Sequence, residues 1–139
     1  MSFVLDARLA ADTIEIGDLP LSSLRLMDDS RFLWLVLVPR GANFSELIDL
    51  DAPSRALLIE EIAAVSKVMA DAPGVDKINV GALGNIVRQL HVHVVARCIG
   101  DAAWPGPVWG AGAPRRYDRE RADIFVRDFQ KSLIRKAAF

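Results

Sequence analysis

A chain of 139 residues with 52% hydrophobic and 25% charged side chains has room for one domain with a sizeable core and is too apolar to be disordered. Its formal net charge of -1 offers no electrostatic attraction to a nucleic acid polymer or an anionic membrane, and its longest strongly apolar run, Phe32 to Val38, falls well short of the roughly 20 residues of a bilayer span. The single Cys98 excludes an intrachain disulfide and speaks against a cysteine-based zinc site, and Met1 to Asp6 lack a basic stretch followed by a long apolar one, so the expectation is a cytoplasmic protein without a signal peptide.

Asp6 can cap a short helix through Ala11, which ends before the β-branched run at Thr13. Thr13 to Asp18 reads as a first strand, broken at Leu19-Pro20, and Ser23 to Met27 as a second. Asp28-Asp29-Ser30 is a polar turn. Phe32 to Val38 follows as a third strand, apolar on both faces and therefore central. Asp51 and Pro53 mark the start of a long helix in which Leu58, Ile62, Val65, Met69 and Ala72 recur at helical spacing and form a core stripe, and Pro73-Gly74 ends it.

Lys77 to Val80 is the next strand, and Gly81 to Asn85 a turn whose glycines let backbone N–H groups approach an anion. Taken alone, those glycines describe a hairpin, and no P-loop pattern is present. Gln89 to Arg97 then alternates: Gln89, His91 and His93 fall on one face, Leu90, Val92 and Val94 on the other. A lone strand histidine is by default structural. Here both histidines of the chain stand two residues apart on an otherwise apolar strand with an amide next in line, and that favours a site.

After Arg97 the segment Asp101 to Gly112 holds two of the three tryptophans among prolines and glycines, a stiff aromatic loop that either plugs the core edge or stacks on a base. Tyr117 to about Lys136 reads as a helix with Ile124, Phe125, Asp128, Phe129 and Leu133 along its seam. Together these elements make an α+β fold, a mostly antiparallel five-stranded sheet with one long helix and a C-terminal helix, half of the sheet covered.

The residues from Asn79 to Val95 resemble the histidine triad (HIT) proteins, nucleotide hydrolases and transferases whose strand motif is His-x-His-x-His, preceded by Asn-x-Gly and a Gly-Gln or Gly-Asn turn. The motif becomes Gln89-x-His91-x-His93, with Asn79, Gly81, Gly84 and Asn85 in the approach, so glutamine replaces the first histidine. The resemblance runs from about Leu5 to Arg97, with Asp101 to Gly110 similar to the tail of a bacterial branch. It implies a nucleotide-binding and catalytic domain over 1–105, with 106–139 a loop and helix packed on it.

The resemblance also implies roles. His91 corresponds to the nucleophile, with its far ring nitrogen held by a backbone carbonyl; Asp28 lies near a ribose, unless it is simply a solvated turn residue; Asn43 is the nearest candidate for a further polar contact. It implies a homodimer paired edge to edge, a nucleotide substrate and no cofactor.

Chemistry agrees with the assignment, since a phosphoryl group transferred through a covalent intermediate needs a neutral nucleophile, and imidazole supplies one near pH 7. Asn85, the Gly84-Asn85 backbone and His93 are the candidate donors to phosphate oxygens, and Asn79 in the approach is a further nucleotide-binding candidate. Gln89 can orient a group but has no proton to give at neutral pH. The expected activity is cleavage at the α-phosphate of a dinucleoside polyphosphate or nucleoside phosphoramidate through a nucleotidyl-histidine. Two alternatives stay open: a nucleotide-binding module weak in catalysis, and a metal-binding enzyme using His91 and His93.

Overall fold

The computed structural model describes residues 2–136. In order the elements are α1 (Ala7–Asp12), β1 (Thr13–Asp18), β2 (Ser22–Met27), β3 (Leu33–Pro39), a 3-10 turn (Leu47–Asp49), α2 (Ala52–Ala70), β4 (Lys77–Gly81), β5 (Val92–Arg97) and α3 (Arg119–Lys136). The five strands lie in the order β1-β2-β3-β5-β4, every neighbouring pair antiparallel, with β3 at the centre. None of the described helices is long and apolar enough to cross a membrane.

The local cues act as they read. Asp6 caps α1 by accepting from the Arg8 N–H at 2.8 Å, and Asp51 caps α2 by accepting from the Ser54 N–H at 2.9 Å. The α2 stripe buries Leu58, Val65 and Met69 against the face of the sheet that carries Leu24, Leu26, Leu35, Leu37, Val94 and Ala96, and α3 joins through Phe129. Each fully buried side chain of this kind contributes roughly 1.5–3 kcal/mol. Glu61 lies on the same stripe, 0% exposed, where its Oε2 accepts from the Leu21 N–H at 2.6 Å and ties α2 to the β1–β2 turn.

Three expectations need correction. The sheet is not half covered: Trp34, Val36, Val38 and Val95 form a second core on its other face, roofed by Leu9 of α1 and by Val108 of the C-terminal loop. The apolar character of both faces of β3 requires this second roof. The α3 helix starts at Arg119 rather than Tyr117, because the Tyr117 amide donates to Asp28 at 2.9 Å while Asp118 accepts from the Arg121 N–H at 2.8 Å as the cap. Along α3, Ala122 and Phe129 are buried but Ile124 is exposed.

The third correction bears on the site. β5 begins at Val92, not Gln89. Its register against β3 pairs Leu37 with Val92 and Val36 with His93, so Leu90 would face Pro39, which has no N–H to give. The Leu90 amide instead donates to the Phe44 carbonyl at 2.8 Å. Gln89 therefore leaves the ladder, and the chain is free to use both its side chain and its carbonyl elsewhere.

Candidate functional site

His91 lies one residue ahead of β5 and His93 within it, on the face opposite α2, where Val36 pairs with His93 on one side and Gly81 of β4 on the other. The two histidines are 7% and 5% exposed, with ring centroids 4.9 Å apart and planes at 70°. The Nδ1 atom of His91 lies 2.7 Å from the Gln89 carbonyl oxygen. A carbonyl only accepts, so Nδ1 carries the proton and donates, and Nε2 keeps its lone pair.

His93 is held the opposite way. The indole Nε1 of Trp34 donates to its Nδ1 at 3.0 Å, so the proton of the neutral ring sits on Nε2. Burial, and secondarily the neighbouring His91, push the His93 pKa down to about 3, so the ring is neutral across the physiological range. Neither Nε2 has a hydrogen-bond partner among the described residues, and neither is among the sealed, unpartnered atoms. The pair thus presents one nitrogen that can attack and, beside it, one N–H that can donate.

Trp109 closes the far side of His93, edge-on at 5.4 Å between ring centroids. Its six-membered ring comes close against Gly81, where an added Cβ would lie within 2.8 Å of its Cη2. Space for this ring, rather than room for an anion, is what requires glycine at 81. Gly84 is different: its φ of +72° places it in the left-handed region that turns the loop toward the histidines.

A cleft of about 510 Å³ opens in front of the pair. Its walls are α1 (Arg8, Leu9, Asp12), the β2–β3 turn (Asp28, Asp29, Arg31), the loop Leu83–Val87, and the C-terminal segment Val108–Arg116. Gly84, Asn85, Asp28, His91 and His93 meet here. Asn85 makes no hydrogen bond within the described residues, which leaves its amide available. Asp28 accepts from the Tyr117 N–H at 2.9 Å and from Arg116 Nη1 at 2.9 Å, one bond per carboxylate oxygen, and so has acceptor capacity left.

Its neighbour Asp29 is more heavily engaged. It is 2% exposed and accepts from the Arg31 amide and guanidinium and from the Arg115 N–H. Burial pushes its carboxyl up, but the Arg31 and Arg115 hydrogen bonds more than offset that and hold it below the usual range.

Three other sequence candidates stand outside this cleft. Asn79 Oδ1 accepts from Arg97 Nη1 at 2.9 Å. Arg97, 1% exposed, makes a paired contact with Asp101 through Nε at 2.7 Å and Nη2 at 2.8 Å, and that guanidinium holds the Asp101 carboxyl down at about 2. Asn43, with φ of 64°, lines a separate cavity of about 600 Å³ between the N-terminal segment and the loop Gly41–Ser45. Gln89 lines that cavity too, its Nε2 donating to the Val4 carbonyl at 2.8 Å and its Oε1 accepting from the Asp6 N–H at 2.8 Å.

A hollow of about 280 Å³ next to the main cleft also touches Gln89 and His91, together with Gly84, Ser45 and Glu46. Sequence reasoning missed Trp34, Arg116 and Arg97. Their only signals were an indole in an apolar strand, an arginine four residues before Asp101, and an arginine whose partner, Asp28, is far away in sequence. Among the described residues no group of three or more His, Cys, Asp or Glu is arranged to hold a metal ion.

Comparison with known proteins gives a consistent picture. A family model described as HIT domain matches residues 8–98. A histidine triad protein from Sinorhizobium meliloti 1021 is 47% identical, with a TM-score of 0.91, over 94% of this chain and 96% of that one. One from Bradyrhizobium japonicum is 45% identical, with a TM-score of 0.90, over 99% and 100%. One from Marinobacter aquaeolei VT8 is 41% identical, with a TM-score of 0.90, over 99% and 100%. No curated protein matches the sequence.

Proposed function

The chain belongs to the HIT domain family, and from that premise we propose that it is a nucleotide hydrolase or nucleotidyl transferase working through a covalent nucleotidyl-His91. The substrate is a dinucleoside polyphosphate or a nucleoside phosphoramidate, cleaved at the α-phosphate. What supports the reading above all is the pair of opposite tautomers, His91 with a lone pair on Nε2 and His93 with a proton there. A neutral nucleophile beside a fixed, neutral donor is what in-line attack on an anionic phosphorus needs.

In the first step His91 Nε2 attacks phosphorus while the bond to the leaving group breaks and its electron pair departs with that group, the nitrogen of a phosphoramidate taking up a proton from solvent as it leaves. The His93 N–H, the Asn85 amide and the backbone at Gly84 donate to the phosphoryl oxygens. Their charge is most concentrated in the transition state, where such donors contribute most. The Gln89 carbonyl steadies the His91 ring as it becomes positively charged. In the second step water attacks phosphorus, gives up a proton to solvent, and releases the nucleoside monophosphate as His91 recovers its lone pair. Asp28 takes ribose hydroxyls with its remaining lone pairs.

A homodimer belongs to the same proposal: β4 is a sheet edge, with Val80 51% exposed on it. So does a cytoplasmic setting. The metal reading has less behind it, since two ring nitrogens alone make a poor site.

The test is release of mononucleotide from a panel of dinucleoside polyphosphates and adenosine phosphoramidate by wild type and His91→Ala. Turnover should fall by orders of magnitude in the variant while nucleotide affinity stays within roughly tenfold. An acid-labile adduct on His91, seen by intact mass, would support the covalent step. A fully active His91→Ala protein refutes it, and an inactive wild type that binds nucleotide points to a binding module instead.

A further inference from the structure

We propose that Trp34 is a positioning residue for this chemistry: its indole N–H holds His93 Nδ1 as an acceptor, so that the imidazole proton stays on Nε2 beside the attacking nitrogen of His91. The inference rests on the nucleotidyl-transfer reading and deepens it, because it says what fixes the donor.

The geometry is direct. Trp34 sits on β3 next to β5, paired with Val95, so its ring lies one pair along from His93 on the same face. The Nε1 to Nδ1 distance is 3.0 Å. An indole N–H can only donate. If the His93 proton moved to Nδ1, two N–H groups would face each other at that distance with no acceptor between them, inside a core where an unpaired polar group is costly. The proton is therefore confined to Nε2.

The lock is also rigid. Trp34 is 7% exposed and packs in a cluster with Phe32, Val36, Val95 and Val108. Trp109 and His91 stand edge-on to the other sides of the His93 ring, at 5.4 Å and 4.9 Å. A flip of the imidazole has nowhere to go. Trp34 carries no proton it can exchange at neutral pH, so it cannot relay one. His93 accordingly acts as a fixed hydrogen-bond donor to the phosphoryl oxygen and not as the middle of a proton relay.

The experiment uses the full chain without ligand. Long-range nitrogen–proton spectra of the imidazoles should show His93 in the Nε2–H form alone in wild type, with a coupling across the hydrogen bond between Trp34 Nε1 and His93 Nδ1. Trp34→Phe keeps an aromatic ring and removes the N–H, so the preference should relax by about tenfold and the Nδ1–H form should appear. With adenosine phosphoramidate as substrate, kcat should then fall roughly tenfold with KM nearly unchanged.

Absence of the cross-bond coupling in wild type overturns the proposal whether or not the variant folds, and so does a His93 that stays wholly Nε2–H in Trp34→Phe. A tautomer change with no change in kcat refutes the catalytic role. If wild type turns over none of the substrates, the functional reading fails separately. The imidazole spectra then remain the readout, with an Nδ1–H form of His93 appearing in Trp34→Phe supporting the lock and its failure to appear refuting it.

Discussion

Lowering the pH should destabilise the protein through one side chain, and His93→Gln should remove that sensitivity. The His93 pKa is about 3 in the fold against an ordinary 6.5, depressed first by burial and then by His91. Between those values the unfolded chain binds a proton that the folded one does not, so stability rises with pH there. The contribution is fully present above 6.5 and is lost as pH falls toward 3, at about 1.4 kcal/mol per unit. From pH 8 to 4.5 the loss comes to about 3 kcal/mol, a large share of the 5–15 kcal/mol that a domain commonly has.

Asp101 does not confuse the comparison. Its pKa is held down from 3.8 to about 2, chiefly by the Arg97 hydrogen bonds, so its contribution is lost only as pH falls below the range used. Glutamine at 93 can accept the Trp34 N–H through its amide oxygen and does not titrate. Urea unfolding of both proteins at intervals from pH 8 to 4.5 measures the effect. The wild-type curve should slope and the variant's should lie flatter by about 3 kcal/mol over the interval. Parallel curves would show that His93 is not held neutral by its surroundings.

Two further perturbations test how the site is built. Gly81→Ala places a Cβ 2.8 Å from Trp109 Cη2, so the indole must move off His93; a loss of about 1–3 kcal/mol in urea unfolding and an altered tryptophan emission are expected, and an unshifted variant would refute the close packing. Gln89→Ala removes the bonds to Val4 and Asp6 and should cost about 1–3 kcal/mol. The dependence of kcat/KM on leaving-group pKa, over a graded series of adenylyl substrates, should keep its slope in that variant, and a changed slope would put the Gln89 side chain back into the chemistry.

What could be read from the sequence is what local rules decide. Asp6 and Asp51 were legible as caps, the boundaries of β1 follow from its β-branched start and the Leu19-Pro20 break, and the unbroken apolarity of β3 announced its central place. The histidines were legible as a site because they share one face of one strand. Gln89 was not, because its position depends on Pro39 ending the β3 ladder and on the N-terminal segment coming to meet it. Trp34 was read as core, which it is; that its single N–H also meets His93 follows from the register between two strands almost sixty residues apart, and no periodicity encodes that. Glu61 was hidden for the same reason, since its partner is an amide in a distant turn.

The cleft is assembled from two parts of the chain with different duties. His91, His93, Gly84 and Asn85, the groups suited to phosphorus, all lie within the stretch 8–98 that matches the family. The opposite wall, Val108 to Arg116, lies beyond that stretch and has little regular structure of its own to hold it. It is pinned instead at both ends and in the middle. Arg97 and Asp101 anchor the chain ahead of it, Arg31 donates to the Ala111 carbonyl at 2.6 Å, the Ser30 amide donates to the Arg115 carbonyl at 2.7 Å, and Asp28 accepts from the Tyr117 amide. The two carboxylates of the β2–β3 turn therefore divide the work. Asp29 holds the wall through Arg31 and Arg115, while Asp28 holds its end through Arg116 and Tyr117 with one bond per oxygen and keeps acceptor capacity that faces the cleft.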